Sequence, residues 1–152
     1  MSDVWEVDAL DALETAIDTW LEALRADWPI EAIDRDDTGA RRWFVRLRGE
    51  DKDYTTVWLT LGQRTLGYET YVMPAPEENA ARLYENLLRR NDALVGAHFS
   101  IGIEDAVFLR GELSNASVSA DELDRVVGTL YATVEQTFRS LLRIGFASRV
   151  AG

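Results

Sequence analysis

The sequence predicts an α+β fold: one five-stranded antiparallel sheet and three helices, in the order α-β-β-β-α-β-β-α, with helices one and three on one sheet face. Three observations carry this. Apolar residues recur at steps of three and four in three stretches and alternate at a step of two in five others. Gly, Pro or acidic turn residues separate the stretches.

The first helical stretch runs from Val7 to about Asp27, with Leu10, Leu13, Ile17, Trp20, Leu21 and Leu24 on one face. Its other face carries Asp8, Asp11, Glu14, Asp18 and Glu22 and reads as solvated. Trp28-Pro29 ends it, because proline disfavours helical geometry in the residue before it. An acidic, Gly-containing stretch from Asp34 to Gly39 then leads into alternation.

In "RRWFVRLRG" one parity gives Trp43, Val45 and Leu47, and the other gives Arg42, Phe44, Arg46 and Arg48. After the polar loop "GEDKD", the strand "TTVWLTL" sets Val57, Leu59 and Leu61 against Trp58 and Thr60. Beyond the turn at Gly62 to Arg64, "TLGYETYVM" sets Leu66, Tyr68, Thr70 and Val72 against Glu69 and Tyr71.

Pro74 and Pro76 close that strand, and Pro76 suits the first position of a second helix, with Glu77 and Glu78 in its first turn. This helix is expected to run to about Arg90, with Asn91 as its C-cap and Ala80, Leu83, Tyr84, Leu87 and Leu88 as its apolar stripe. Two strands follow, "AHFSIGI" and "AVFLRGEL", joined by a tight turn at Glu104-Asp105. The first aligns Ala97, Phe99, Ile101 and Ile103; the second sets Val107 and Leu109 opposite Phe108, Arg110 and Glu112. "SADE" signals the last helix, with Ser119 as cap and Glu122 reaching back in a capping box. Its stripe runs from Leu123 to Leu142, lasting to about Ile144, where Gly145 stops it.

At 152 residues the chain suits a single domain, residues 1–152, with a core of its own. A net charge of -11 repels phosphate backbones and anionic lipid, so neither nucleic acid nor membrane is an expected partner. The chain has no cysteine, hence no disulfide, thiolate nucleophile or cysteine-based metal site. No signal-peptide pattern or membrane-length apolar run is seen, and a cytoplasmic location is expected.

Little in the chain points to catalysis. His98 is the only histidine; Ser100 shares its strand parity but has no nucleophile elbow around it. The acid pairs Asp36-Asp37 and Glu104-Asp105 lack calcium-loop spacing, and "LGQRTLG" lacks the setting of a phosphate loop. No catalytic residue, cofactor or metal ligand is assigned. The second sheet face is different: Phe44, Trp58, Tyr71 and Phe108 interleave with Arg46, Arg48 and Arg110, a composition suited to binding protein or peptide. The second helix either plugs one end of its own sheet or meets a second copy across a twofold axis through Ala80, Leu83, Tyr84 and Leu87.

The segments "LGQRTLGYETYVMPAPEENAARLYENLLRRND", "HFSIGIEDAVFLRGEL" and "ELDRVVGTLYATVEQTFRSLLRIGF" resemble the YbjN family, bacterial proteins described as sensory-transduction regulators. The shared motif comprises Arg64, Tyr68, Glu69, Tyr71, Pro74, Pro76, Glu78, Asn79, Leu87, Arg89, Arg90 and Asn91; Ser140 and Ser114 to Ala116 depart from it. The resemblance implies a fold similar to type III secretion chaperones and a homodimer with the second helix at or near its interface. Its polar members, Arg64, Glu69, Glu78, Asn79, Arg89, Arg90 and Asn91, form either a network that fixes the strand-to-helix corner or a partner's dock. The expected function is that of a non-enzymatic, protein-binding regulator or chaperone-like adaptor. The alternative is a small-metabolite-binding protein or modest enzyme with a pocket at the corner from Tyr68 to Asn79, using Tyr68, Arg64 or His98.

Overall fold

The computed structural model describes residues 4–150. Helix α1 (Val7–Ala23) buries Leu10, Leu13, Ile17 and Leu21 and runs into a short 3-10 turn, Leu24–Ala26. The sheet comprises β1 (Ile30–Arg35), β2 (Arg42–Arg48), β3 (Tyr54–Leu61), β4 (Thr65–Met73), β5 (His98–Ile101) and β6 (Val107–Ser114). Their order is β1-β2-β3-β4-β6-β5, and every neighbouring pair is antiparallel. Helix α2 (Ala80–Asn91) precedes β5, and α3 (Ala120–Gly145) and the one-turn α4 (Ala147–Val150) close the chain.

Six strands replace the expected five. The extra strand, β1, escaped detection because a bulge between Ile30 and Ala32 breaks its alternation. Ile30 stands opposite Leu47 and Ile33 opposite Val45, so two residues three apart share the core face.

Cross-strand register aligns the inner face. Trp43 faces Leu59, Val45 faces Val57, Leu61 faces Leu66, and Leu109 lies between Thr70 and Phe99. These residues pack with Ile17 and Leu21 of α1 and with Leu123, Val127, Leu130, Val134 and Leu141 of α3 in one core. Fully burying each such aliphatic side chain contributes about 1.5–3 kcal/mol. Among the described residues α1, α2 and α3 all place their buried side chains in this core, which leaves the opposite sheet face without one of these helices over it.

Two helix boundaries differ from expectation. At α3, Ser119 Oγ accepts from the Glu122 N–H at 3.1 Å, but the Glu122 carboxylate pairs with Arg125 instead of completing a capping box. Helix α2 starts at Ala80, not Pro76, so Glu77 and Glu78 precede it. The chain is diverted there to meet the end of α3: the N–H groups of Glu77 and Glu78 donate to Gly145 O at 2.9 and 3.1 Å, and Asn79 Nδ2 donates to Ile144 O at 2.9 Å. Asn79 takes a left-handed φ of 55° to do so. Carbonyls left free at a helix end are thus satisfied by a segment more than sixty residues away in sequence. Ile103, expected on the inner strand parity, lies in the turn after β5 and is exposed.

Candidate functional site

The uncovered sheet face is built by the second parity of β2, β3, β4 and β6. Register places Phe44, Trp58, Glu69, Arg110 and His98 in one row across the sheet, and Tyr71, Phe108 and Ser100 in the next. Phe44 and Trp58 meet edge to face at 5.8 Å, as do Tyr71 and Phe108 at 5.7 Å. Between the two couples Arg110 pairs with Glu69 at 3.0 Å. Trp58 and Tyr71 are each 41% exposed, a large apolar area to leave in water.

Tyr54, missed by the sequence reading, extends the face. It opens β3 one residue before the predicted strand and shares the parity of Trp58, which was the available signal. The Arg46 guanidinium stacks 3.8 Å from the Tyr54 ring centre, a cation–π contact of about 0.5–1 kcal/mol at an exposed site. Arg46 has no ion pair among the described residues, whereas Arg48 pairs with Glu31 and Arg42 with Asp36. Phe108 is only 6% exposed, beneath the Arg110 guanidinium and the Tyr71 ring, so it supports the face more than it presents itself.

Lys52, the only lysine, borders this face. Its Nζ donates to Tyr71 O at 2.5 Å and lies 5.1 Å from the Tyr71 ring and 5.7 Å from that of Phe138. Burial pushes its pKa down to about 8, while the Glu135 carboxylate acts to raise it. Glu135 in turn accepts from the N–H groups of Glu50, Asp51 and Lys52, clamping the β2–β3 loop to α3.

The expected stripe of α2 divides. Leu83 and Leu87 are buried in this chain's own core, Tyr84 is half-buried, and Ala80 is exposed. A second copy meeting this helix would touch Tyr84 and Leu88, the latter 69% exposed. These two residues also line a shallow apolar cavity of about 230 Å³ with Phe99 and Ile101.

The motif's polar residues do not form one network. Glu69 pairs with Arg110, Arg89 with Glu85, and Arg90 donates to Asn86. Glu78 accepts from the Ser148 N–H and hydroxyl, and Asn79 from α2's lead-in reaches Ile144. Asn91 does not cap α2, whose C-cap is Asp92; its side chain bonds the backbone of Phe99. Arg64 sits in the turn before β4, with its carbonyl accepting from the Asn115 N–H at 2.9 Å. Of the corner from Tyr68 to Asn79, the part from Pro76 to Asn79 packs against the end of α3, while Tyr68 and His98, two of the residues expected to serve a pocket, line a cavity of about 540 Å³ with Arg110 and Glu112. No group of three or more His, Asp or Glu is placed to hold a metal ion among the described residues.

Residues 14–143 match the YbjN family, described as "Putative bacterial sensory transduction regulator". The chain belongs to the YbjN family. Among its relatives are two mycobacterial proteins. The uncharacterized protein ML2442 of Mycobacterium leprae is 36% identical over 112 residues, 74% of this chain and 61% of that protein. The uncharacterized protein Rv0487 of Mycobacterium tuberculosis is 35% identical over 106 residues, 70% of this chain and 58% of that protein. This YbjN chain therefore spans about three fifths of the length of these curated relatives.

Solved structures share the fold. A chain of the ExsC–ExsE complex superposes with a TM-score of 0.59 at 19% identity, covering 85% of this chain and 96% of that one. A chain of the ExoU–SpcU heterodimer from the type III secretion system of Pseudomonas aeruginosa gives 0.55 at 16% identity, over 82% and 96%. The structure of the Yersinia pestis type III secretion chaperone SycH with a fragment of YscM2 gives 0.53 at 17%, over 80% and 96%. The YbjN chain thus has the α+β fold of type III secretion chaperones, with six strands.

Proposed function

We propose that this YbjN protein is a non-enzymatic, cytoplasmic, chaperone-like adaptor that captures a partner protein on its uncovered sheet face and acts as a homodimer. One observation carries the reading: Tyr54, Trp58 and Tyr71 stand exposed on the sheet face away from the core, flanked by Arg46 on β2 and Arg110 on β6. Flat aromatic area beside guanidinium donors is the composition that dominates binding energy in protein interfaces. The fold's occurrence in complexes of chaperones with protein partners supports the same reading. Tyr84 and Leu88 supply the surface for the second copy.

The test is affinity capture of the tagged protein from its host lysate, comparing wild type with Arg46→Glu/Trp58→Ala. A stoichiometric partner held by wild type and lost by the variant is the expected result. A partner held equally by both moves the binding surface elsewhere. Absence of any partner from the wild type overturns the adaptor reading and turns attention to the cavity beside Tyr68 and His98.

A further inference from the structure

Among the described residues, strand β5 ends the sheet on its side and pairs only with β6. Such an edge presents unpaired N–H and C=O groups, a template on which another chain can form a strand. At Phe99 both groups are already taken. Asn91 Oδ1 accepts from the Phe99 N–H at 2.7 Å, and Asn91 Nδ2 donates to the Phe99 carbonyl at 3.1 Å. A carboxamide carries the same donor and acceptor pair as a peptide unit, so this side chain occupies the seat of one residue of a seventh strand.

The amide is held in place from behind. Asn91 is the last residue of α2, and that helix is anchored by Leu83 and Leu87 in the core. β5 has only four residues, so blocking Phe99 blocks the middle of its free edge. The opposite edge is guarded by other means: β1 carries a bulge between Ile30 and Ala32, and Glu31, Asp34 and Arg35 put charge along it.

We infer that Asn91 is a plug on the β5 edge, whose side-chain amide satisfies the Phe99 peptide in place of an incoming strand and so keeps copies of this chain from pairing through β5. The excluded occupant is the β5 of a second copy, since antiparallel self-pairing requires no other sequence. Ile101, half exposed beside the plug, is the apolar contact that such pairing would bury. This role is independent of the sheet-face reading; because Ile101 lines one cavity with Tyr84 and Leu88, the proposed contact between copies, Ile101→Lys alone is the reference for the double variant.

The experiment is light scattering across a concentration series on the full chain. Asn91→Ala is expected to grow with concentration to about twice the wild-type mass or more. Asn91→Ala/Ile101→Lys places charge on the same edge and is expected to have the mass of Ile101→Lys alone at every concentration. At dilutions where the single variant has wild-type mass, its Phe99 amide should exchange with solvent faster than in wild type. Two results overturn the inference: a folded Asn91→Ala of wild-type mass at every concentration, or growth that persists with Ile101→Lys. Should Asn91→Ala fail to fold, Asn91→Leu, which keeps the volume but loses both donor and acceptor without adding charge, is read in the same way.

Discussion

The ring of Tyr68 occupies the space that a side chain on Gly111 would need. A Cβ at Gly111 would lie 2.6 Å from Tyr68 Cε2 and 2.7 Å from its hydroxyl. The two residues face each other across β4 and β6, and the hydroxyl passes on to donate to Gly96 O at 2.5 Å. Gly111→Ala should therefore lower stability by roughly 1–3 kcal/mol, the usual cost of overpacking, in a denaturant titration. Tyr68→Phe, which removes only the hydroxyl, should cost about 1 kcal/mol. A Gly111→Ala variant as stable as wild type would show that both the ring and the Gly96 carbonyl, 2.6 Å from the same Cβ, have room to move.

Glu78 secures the chain's last turn. Its carboxylate accepts from the N–H of Ser148 and, at 3.0 Å, from the Ser148 hydroxyl, while Glu77 pairs with Arg149 at 3.0 Å. Glu78→Ala should lower stability by about 1 kcal/mol, as loss of a helix N-terminal acceptor does. Amide exchange should quicken first at residues 146–150. Unchanged melting together with unchanged exchange there would remove this role from Glu78.

Lys52 gives the protein a pH dependence of defined sign. Its pKa falls from 10.5 in the free side chain to about 8 in the fold, so between these values the unfolded chain binds more protons than the folded one. Stability measured against Lys52→Met should therefore rise as the pH climbs from about 8 towards 10.5, and be least favourable to wild type below 8. Because Lys52 is the sole lysine, lysine-labelled protein yields one side-chain signal whose titration reads the value directly. A midpoint at the ordinary lysine value would refute the prediction.

Leu87 and Leu88 are neighbours with opposite surroundings, 4% and 69% exposed. Leu88→Asp should halve the mass in light scattering while leaving the melting temperature nearly unchanged. Leu87→Asp should instead destabilise the fold by several kcal/mol, on the order of the penalty for an unpaired polar group in a core. A wild-type protein of monomer mass, or a Leu88→Asp protein of wild-type mass, would overturn the proposed contact between copies through α2.

Much of the fold was legible in the sequence because strands β2 and β3 alternate without interruption, β4 does so as far as Val72, and α3 keeps its stripe for about six turns. The same parity that predicts the core predicts the face carrying Arg46, Trp58 and Tyr71. Tyr54 was missed only because the strand's start was set one residue late. Phe108 sits on the right parity, but which aromatic on a face is covered depends on its neighbours: the Arg110 guanidinium and the Tyr71 ring lie over this one.

By itself, the sequence determined strand parity, the long C-terminal helix and the absence of cysteine chemistry, which rest on local periodicity and composition, and the family, which rests on the resemblance of three motif segments. Tertiary structure decided the rest. Pro76 favours a helix start where it stands, yet the N–H groups of Glu77 and Glu78 go to Gly145 and the helix begins later. Asn91 reads as a cap beside its own helix, yet its amide serves Phe99 on a strand. Ile30 and Ile33 share a face only because a bulge is measured against β2. In the first two cases a backbone polar group brought close by the fold outcompetes a local preference of under about 1 kcal/mol, because leaving it buried and unpaired costs about 1–3 kcal/mol.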